Sequence, residues 1–422
     1  MGRPWFILAD DLTGAADSAI AFARRRVPAR VVWGDSPSQV HPDVMVLAYD
    51  AATRELDAAL AARRHREVLQ RFLHLPARLF KKIDSTLRGS PAEEIAAMLD
   101  VVLAQEPDTC VVMAPSFPAM GRTVRDAQVR VHGVPLPFTE YWPESRDPAL
   151  ANLLFLLEGA GLRARAVELA TVRGDFDVLK SALTKADRTL VAVCDAETDE
   201  DLERIAEASL ATDRPGFYIG SGGFAHALAH CVSRAGVLLR SPSCCCEPST
   251  RGALVVVGSR SQASRAALAQ VTTLPNVERF SVEPSLLGGD LQSAVHASLS
   301  DAIRNALKTG MDVVVDIVST TSSQIAGDPH LVSALASLLG PAARDASALA
   351  ATGGETAAAL LTRLGVNGIQ LLDEIEPGIP LGLTLGGVSV PAVTKAGGFG
   401  NEGCLRRIIE RLRFIRQTGT VA

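Results

Sequence analysis

The sequence predicts an α/β protein of two domains in series, each a mostly parallel sheet flanked by helices, with a hairpin-rich excursion in the N-terminal domain. Three observations predict it. From Trp5 to Ile219, short β-branched and apolar runs alternate with amphipathic helical stretches, the pattern of buried strands joined by crossover helices. The helical period lapses between roughly Ser116 and Pro148, where Gly121, Gly133 and several prolines punctuate the chain, as hairpins or a lid-like excursion require. The alternation then restarts beyond Arg240-Ser-Pro-Ser-Cys-Cys-Cys-Glu-Pro-Ser-Thr-Arg251, a stretch rich in turn formers and without periodicity. The expected division is residues 1–239, a linker at 240–251, and residues 252–422.

In order, the expected strands of the first domain are Trp5–Asp11, Arg30–Trp33, Val44–Asp50, Leu79–Asp84, Thr109–Pro115, Leu190–Asp195 and Gly216–Ile219. Apolar spacing predicts helices over Ala15–Arg25, Glu55–Leu73, Ala92–Ala104 and Glu200–Leu210. In the second domain Ala253–Gly258, Asp312–Val318, Ile369–Ile375 and an extended Ser389–Thr394 resume the alternation, and a helix is expected over Glu402–Gln417. Ligands of open parallel sheets lie beyond the carboxyl ends of the strands. Polar residues just after a strand therefore carry the most information.

The composition, 47% hydrophobic with 21% charged residues over 422 positions, is that of a globular chain with a sizeable core. A formal net charge of -5 argues against a general nucleic-acid binder, so an anionic ligand has to be met by local cations. No apolar run reaches spanning length, and Trp5-Phe-Ile-Leu-Ala9 is too short and too lightly flanked for a signal peptide. Seven cysteines, three of them adjacent at Cys244–Cys246, show no C-x-x-C spacing. Reduced thiols and a cytoplasmic protein are the expectation, with no membrane partner.

Several stretches combine the residue types that binding chemistry needs. The first strand ends in Asp10 and Asp11, followed by Thr13 and Gly14 at a helix start. Strand alternation would send one aspartate into a cleft and leave the other to cap the helix. Lys82 and Asp84 stand two apart on one strand face, with Ser85, Thr86 and Arg88 in the exit loop, and Arg54 lies just past another strand end. Cations, carboxylates and hydroxyls together suit a polyhydroxy acid; the bland alternative is a surface ion pair beside a loop. Thr352-Gly-Gly-Glu-Thr356 and Lys395-Ala-Gly-Gly-Phe-Gly400 each link an apolar strand to a helix, and Val257-Gly-Ser-Arg260 makes a third strand-end loop in the same domain. Glycine lets backbone N–H groups approach an anion, although a ligand-free turn has the same composition. Gly121-Arg-Thr123 reads equally as an anion contact or a hairpin turn.

Other motifs are weaker. Gly220-Ser-Gly-Gly-Phe-Ala225 fits a dinucleotide fingerprint, but the acid expected about twenty residues on is missing, so tight strand-to-helix packing is the preferred reading. His226 and His230 share a helical face without the glutamate of a metalloprotease motif, and no protein-held metal is expected. Neither a G-x-x-x-x-G-K-[ST] loop nor a G-x-S-x-G elbow is present.

Taken together, Ala9-Asp-Asp-Leu-Thr-Gly14, Lys81-Lys-Ile-Asp-Ser-Thr-Leu-Arg-Gly89, Gly121-Arg-Thr123, Thr352-Gly-Gly-Glu355 and Thr394-Lys-Ala-Gly-Gly-Phe-Gly400 resemble the four-carbon acid sugar kinase family over nearly the whole chain. The wording is closer to its D-threonate and D-erythronate kinase branches than to the 3-oxo-tetronate kinases. The resemblance implies an N-terminal sugar-acid-binding domain, a C-terminal nucleotide-binding domain, and ATP-dependent phosphorylation of the terminal hydroxyl of a four-carbon acid, for which Mg²⁺ is the expected companion of ATP. By position it assigns Asp11, Arg54 and Lys82, Ile83, Asp84 and Ser85 to the sugar acid, with Arg88 added from its place in the loop. Ser259, Gly353, Gly354, Glu355, Thr356 and Gly398 fall to ATP, and the loop reading adds Lys395, Gly397 and Gly400. Asp11 is the expected base, with Asp84 or Asp10 in reserve, and Glu355 is assigned to Mg²⁺ waters. Homo-oligomerisation is left open. The competing readings are a 3-oxo-tetronate kinase, a non-catalytic sensor of sugar acid and nucleotide, and an NAD-dependent sugar-acid dehydrogenase.

Overall fold

The computed structural model describes residues 3–34, 44–184, 190–234, 246–258, 262–271, 273–288, 294–318 and 329–421. Its strands in chain order begin with β1 (Trp5–Ala9), β2 (Ala29–Trp33), β3 (Val46–Asp50), β4 (Arg78–Lys82) and β5 (Cys110–Ala114). A three-stranded antiparallel meander follows, β6 (Arg122–Arg125), β7 (Gln128–Val131) and β8 (Val134–Pro135), then β9 (Arg163–Val167), β10 (Leu190–Cys194) and β11 (Gly216–Gly220). The later strands are β12 (Leu254–Val257), β13 (Val277–Val282), β14 (Asp312–Ile317), β15 (Leu349–Thr352), β16 (Val366–Glu374), β17 (Pro380–Gly386) and β18 (Pro391–Lys395).

The chain forms two compact units, one of Met1–Ala29 with Pro37–Arg240, the other of Arg30–Ser36 with Ser241–Ala422. In the first, β3, β1, β4, β11, β5, β10 and β9 lie side by side and all pair in parallel. Strands β1, β3 and β5 are buried throughout, as β-branched and apolar runs covered on both faces must be. Helices α1 (Leu12–Ala23), α2 (Ala58–Phe72) and α3 (Pro91–Gln105) follow β1, β3 and β4. Because each crossover returns the chain to the same end of the sheet, the exits of β1, β3 and β4 open on one edge. The meander occupies the expected hairpin excursion.

In the second unit β13, β14, β12, β15 and β18 are parallel, and β17 and β16 continue the sheet antiparallel. One expectation is corrected here. Arg30–Trp33, placed by sequence with residues 1–239, pairs antiparallel with β16, at Arg30–Gln370, Val31–Ile369 and Val32–Gly368. Alternating burial along β2 fits either sheet, so local pattern carries no mark of the unit to which the segment belongs. The described part of the supposed linker is also tied down: Cys246 and Ser249 donate their N–H groups to Gly419 and Arg416 carbonyls. Among the described residues, no helix is long and apolar enough to cross a membrane.

Candidate active site

The exits of β1, β3 and β4 build a charged cluster in the first unit. Register places Asp50, Ala9 and Lys82 side by side on neighbouring strands, hence on one face. Asp11 is the N-cap of α1: its Oδ1 accepts the Gly14 N–H at 2.8 Å and its Oδ2 the Thr13 hydroxyl. A Cβ at Gly14 would meet Asp11 Oδ1 at 2.6 Å and Lys82 Nζ at 3.0 Å, so glycine lets both groups close over the helix start. Lys82 Nζ donates to the Ile83 carbonyl at 3.0 Å.

Arg54 holds this edge together. Its Nε and Nη2 donate to Asp10 at 2.8 and 2.9 Å, its Nη1 lies 2.7 Å from Asp11, and Asp84 is 3.7 Å from Nη2. Both adjacent aspartates therefore face the same guanidinium, against the expected split. The reason is that β1 ends at Ala9, and beyond a strand the two-residue alternation no longer governs direction. Asp84 takes two hydrogen bonds from the Arg88 guanidinium, at 2.6 and 3.0 Å, a longer one from the Arg88 N–H at 3.4 Å, and one each from the Thr86 hydroxyl and N–H. Ile83 is buried, with its N–H donating to the Gly220 carbonyl at 2.9 Å and its own carbonyl accepting from Lys82. Ser85 is buried too, and among the described residues its hydroxyl has no partner.

The electrostatics separate these carboxylates. Burial opposes the charge of Asp10, but Arg54 and then Lys81 outweigh it and hold its pKa low. Burial likewise opposes Asp84, and Arg88 with Arg54 brings it well below the usual range. Asp50, 2% exposed, goes the other way: burial and then the nearby Asp11 charge push it up to about 7. The sequence reading passed over Asp50, because a lone acid at a strand end looks like a turn former.

A second group missed by sequence lies behind Arg54. Lys81, 0% exposed, bonds Glu94 Oε2 at 2.7 Å and His65 Nε2 at 2.8 Å. Glu94 Oε1 accepts the Thr53 hydroxyl at 2.7 Å, and the Thr53 and Arg54 N–H groups donate to the Asp10 carbonyl. His65 Nδ1 faces the Ala61 carbonyl at 3.1 Å, which assigns that nitrogen the proton and leaves Nε2 to accept from Lys81. Burial and then Lys81 depress the His65 pKa well below 6.5, consistent with a neutral ring. The chain from Lys81 through Glu94 to Thr53 fixes the turn that presents Arg54. The signal was present as adjacent lysines in Lys81-Lys82, whose opposite directions follow from strand alternation.

In the second unit the exits of β12, β15 and β18 are neighbours. Gly353, at φ +95°, starts the helix Gly354–Arg363 and donates its N–H to the Lys395 carbonyl at 2.8 Å, joining two of the glycine loops. Thr356 is buried and Glu355 exposed in the first turn of that helix. Lys395 is 1% exposed and donates to the Ala396 and Gly397 carbonyls, each at 3.2 Å, and to Ser264 Oγ at 3.4 Å. Its three N–H bonds thus serve the protein, and burial lowers its pKa. In a trans peptide the N–H points opposite to the C=O, so the Gly397 and Gly398 amides are directed away from the ammonium. Gly400, at φ +77°, packs against Glu376 and Cys404. The helix after this loop runs Cys404–Thr418 and starts two residues later than expected. Beside Ser264 lies a cavity of about 400 Å³ with apolar walls from Val257, Leu268 and Ile317, and with Asp316 clamped by Arg279 at 2.7 and 2.8 Å. Ser259 lies outside the described residues.

Other singled-out residues stand apart from both clusters. Cβ atoms at Gly220, Gly222 and Gly223 would meet the Ala114 carbonyl, Asp17 and the Ser116 carbonyl at 2.7, 2.2 and 2.4 Å. These glycines serve strand-to-helix packing, with no space for a pyrophosphate. His226 is half-buried, its pKa pushed down to about 4 by desolvation, and His230 pairs with Glu203 at 3.0 Å. Arg122 is buried in the meander, bonded to the Met120 carbonyl and stacked 5.0 Å from the Tyr141 ring.

Comparison with known proteins matches residues 5–228 to a family model described as a sugar-binding N-terminal domain and residues 254–405 to one described as a nucleotide-binding C-terminal domain. A D-threonate kinase of Cupriavidus necator is 36% identical over 408 residues, 95% of this chain and 96% of the relative. A D-threonate kinase of Bordetella bronchiseptica is 33% identical over 99% of this chain and 100% of its own length. A crystal structure of a Salmonella typhimurium protein shares the fold, with a TM-score of 0.77 at 21% identity over 96% of this chain and 98% of that one.

Proposed function

Because the chain belongs to the four-carbon acid sugar kinase family, we propose that it transfers the γ-phosphoryl group of ATP to the 4-hydroxyl of a four-carbon sugar acid, D-threonate first among the candidates. The observation that carries the reading is the Arg54 cluster: a half-buried guanidinium shared by Asp10, Asp11 and Asp84 at the strand exits of the unit that matches a sugar-binding domain. Arg54, Lys82 and Arg88 receive the substrate carboxylate, and Asp11, Asp84 and the Ser85 hydroxyl receive its hydroxyl groups. Residues held this firmly arrive with their geometry set. In a loose phosphoryl-transfer transition state, positioning and charge stabilisation supply most of the acceleration.

The nucleotide is assigned to the second unit. Outward-directed Gly397 and Gly398 amides and the start of the helix at Gly354 suit phosphate oxygens, and the cavity beside Ser264 is large enough and apolar enough for a nucleobase. Lys395 acts here by holding the loop carbonyls inward, and not as the direct phosphate ligand expected from sequence. Mg²⁺, when bound with ATP, neutralises charge on the phosphates; Glu355, exposed in the first turn of its helix, is the residue assigned to its water shell.

The test is a coupled ADP-release assay with ATP and Mg²⁺ against D-threonate, D-erythronate, their L-isomers and the 3-oxo acids, with the phosphorylated product confirmed by mass. Turnover on D-threonate is the expected outcome. Preference for a 3-oxo acid would move the chain to another branch of the family, and ATP binding without transfer to any acid would sink the kinase reading.

A further inference from the structure

We propose that Asp50 takes the proton from the attacking hydroxyl, which makes it a further catalytic residue of the sugar-acid site; the proposal rests on the kinase reading above. Four carboxylates stand at the exits of β1, β3 and β4, and three of them are poor proton acceptors for a structural reason. Asp10 is forked by Arg54, Asp11 holds the Gly14 N–H, the Thr13 hydroxyl and Arg54, and Asp84 is clamped by Arg88 and Thr86. Protonating any of them discards charge-assisted hydrogen bonds.

Asp50 is arranged differently. One of its oxygens accepts the Ala52 N–H at 2.7 Å, closing the turn that leads to Arg54. Among the described residues its other oxygen has no hydrogen-bond partner, and no cation forms an ion pair with either. Register sets Asp50 on the same sheet face as Lys82, with only the methyl group of Ala9 between them. Two strand spacings, about 10 Å, separate the Asp50 and Lys82 backbones, a gap across which a four-carbon acid held by Lys82 and Arg54 can present a hydroxyl to Asp50.

The charged groups acting on Asp50 are Asp11 and Asp10 from the end of β1, with Arg54 from its own exit loop; α1, packed on β3, brings the Asp11 cap to this end. Burial and the Asp11 charge raise its pKa to about 7, the range in which a carboxylate is both ionised and basic enough to assist. In the step, the hydroxyl proton passes to the Asp50 carboxylate as the substrate oxygen bonds to the γ-phosphorus. The bond from that phosphorus to the bridging oxygen breaks, its electron pair leaves with ADP, and Asp50 returns the proton to solvent after release.

The experiment compares wild type, Asp50→Asn and Asp11→Asn in the ADP-release assay from about pH 5.5 to 9, with both KM values and thermal unfolding. Wild-type kcat/KM for the sugar acid should fall on the acid side through an apparent pKa near 7. Asp50→Asn should lose roughly 10²–10⁴-fold in kcat and the acid limb with it, KM for ATP staying within about threefold. Asp11→Asn should keep an acid limb, moved to lower pH because the Asp11 charge helps to raise Asp50, and lose mainly sugar-acid affinity. Because an amide carries no buried charge, Asp50→Asn should unfold no earlier than wild type at pH 8; Asp50→Ser replaces it if the amide fails to fold. Wild-type transfer with Asp50→Asn retaining both kcat and the acid limb overturns the proposal and leaves the kinase reading intact. An acid limb that vanishes in Asp11→Asn instead also overturns it, and a wild type that transfers nothing overturns both.

Discussion

The guanidinium of Arg54 meets three carboxylates in a plane that an ammonium cannot match, since lysine offers one charge point and no fork. Arg54→Lys should therefore lower kcat/KM for the sugar acid by roughly 100-fold, about 2–3 kcal/mol of lost charge-assisted bonding. KM for ATP should be unchanged; an equal loss for both substrates would show that Arg54 supports the unit as a whole. The same cluster gives stability opposing pH dependences. Asp84 has its folded pKa depressed, so its contribution is present above the unfolded value of 3.8 and is lost on acidification. Asp50 has its folded pKa raised to about 7, so the folded state binds the extra proton and stability falls as pH rises from 3.8 to 7. Hence the Tm of Asp50→Asn relative to wild type should climb across that window and level off above it. A constant difference would mean that Asp50 is already ionised in the fold at low pH.

At the level of elements, the turn between β3 and α2 is held from below by α3 through the Thr53 to Glu94 hydrogen bond. Removing the hydroxyl leaves the buried Glu94 carboxylate one partner short. Thr53→Val should raise KM for the sugar acid about 10-fold while Thr53→Ser restores it; a Thr53→Val enzyme with ordinary kinetics and only a lower Tm would make the network purely structural. The glycine loop after β18 depends similarly on Lys395, and Lys395→Met should raise KM for ATP at least about 10-fold with the sugar-acid KM unchanged.

These elements differ in how readable they were. Strands such as β1 and β5 stand out as uninterrupted apolar runs because both faces are covered. In contrast β9 (Arg163–Val167) and β13 (Val277–Val282) form the outer ends of the two parallel stacks, keep half-exposed polar residues, and were not anticipated. Asp10, Asp11, Arg54, Lys82 and Asp84 were legible as polar residues at strand exits. Glu94 and Thr53, which meet across 41 positions of sequence, were not, since local pattern carries no information about such a contact.

The whole molecule is stitched by a chain that visits the second unit twice, first for the short segment containing β2 and then for everything after Arg240. A fragment starting at Ser241 lacks β2 and leaves β16 with a bare row of backbone donors and acceptors. That fragment should self-associate on size-exclusion chromatography where the full chain does not aggregate; a well-behaved monomeric fragment would show that β2 is dispensable. The same pairing has a consequence for synthesis. Arg30 and Gln370, hydrogen-bonded at 2.7 Å, are separated by 340 positions in the chain. At ribosomal rates of roughly 5–20 residues per second, β2 emerges about 17 to 70 seconds before its partner strand exists. During that interval the side of β2 that pairs with β16 has no native partner, and its backbone donors and acceptors stay open for a chaperone to shield or a neighbouring ribosome's product to capture.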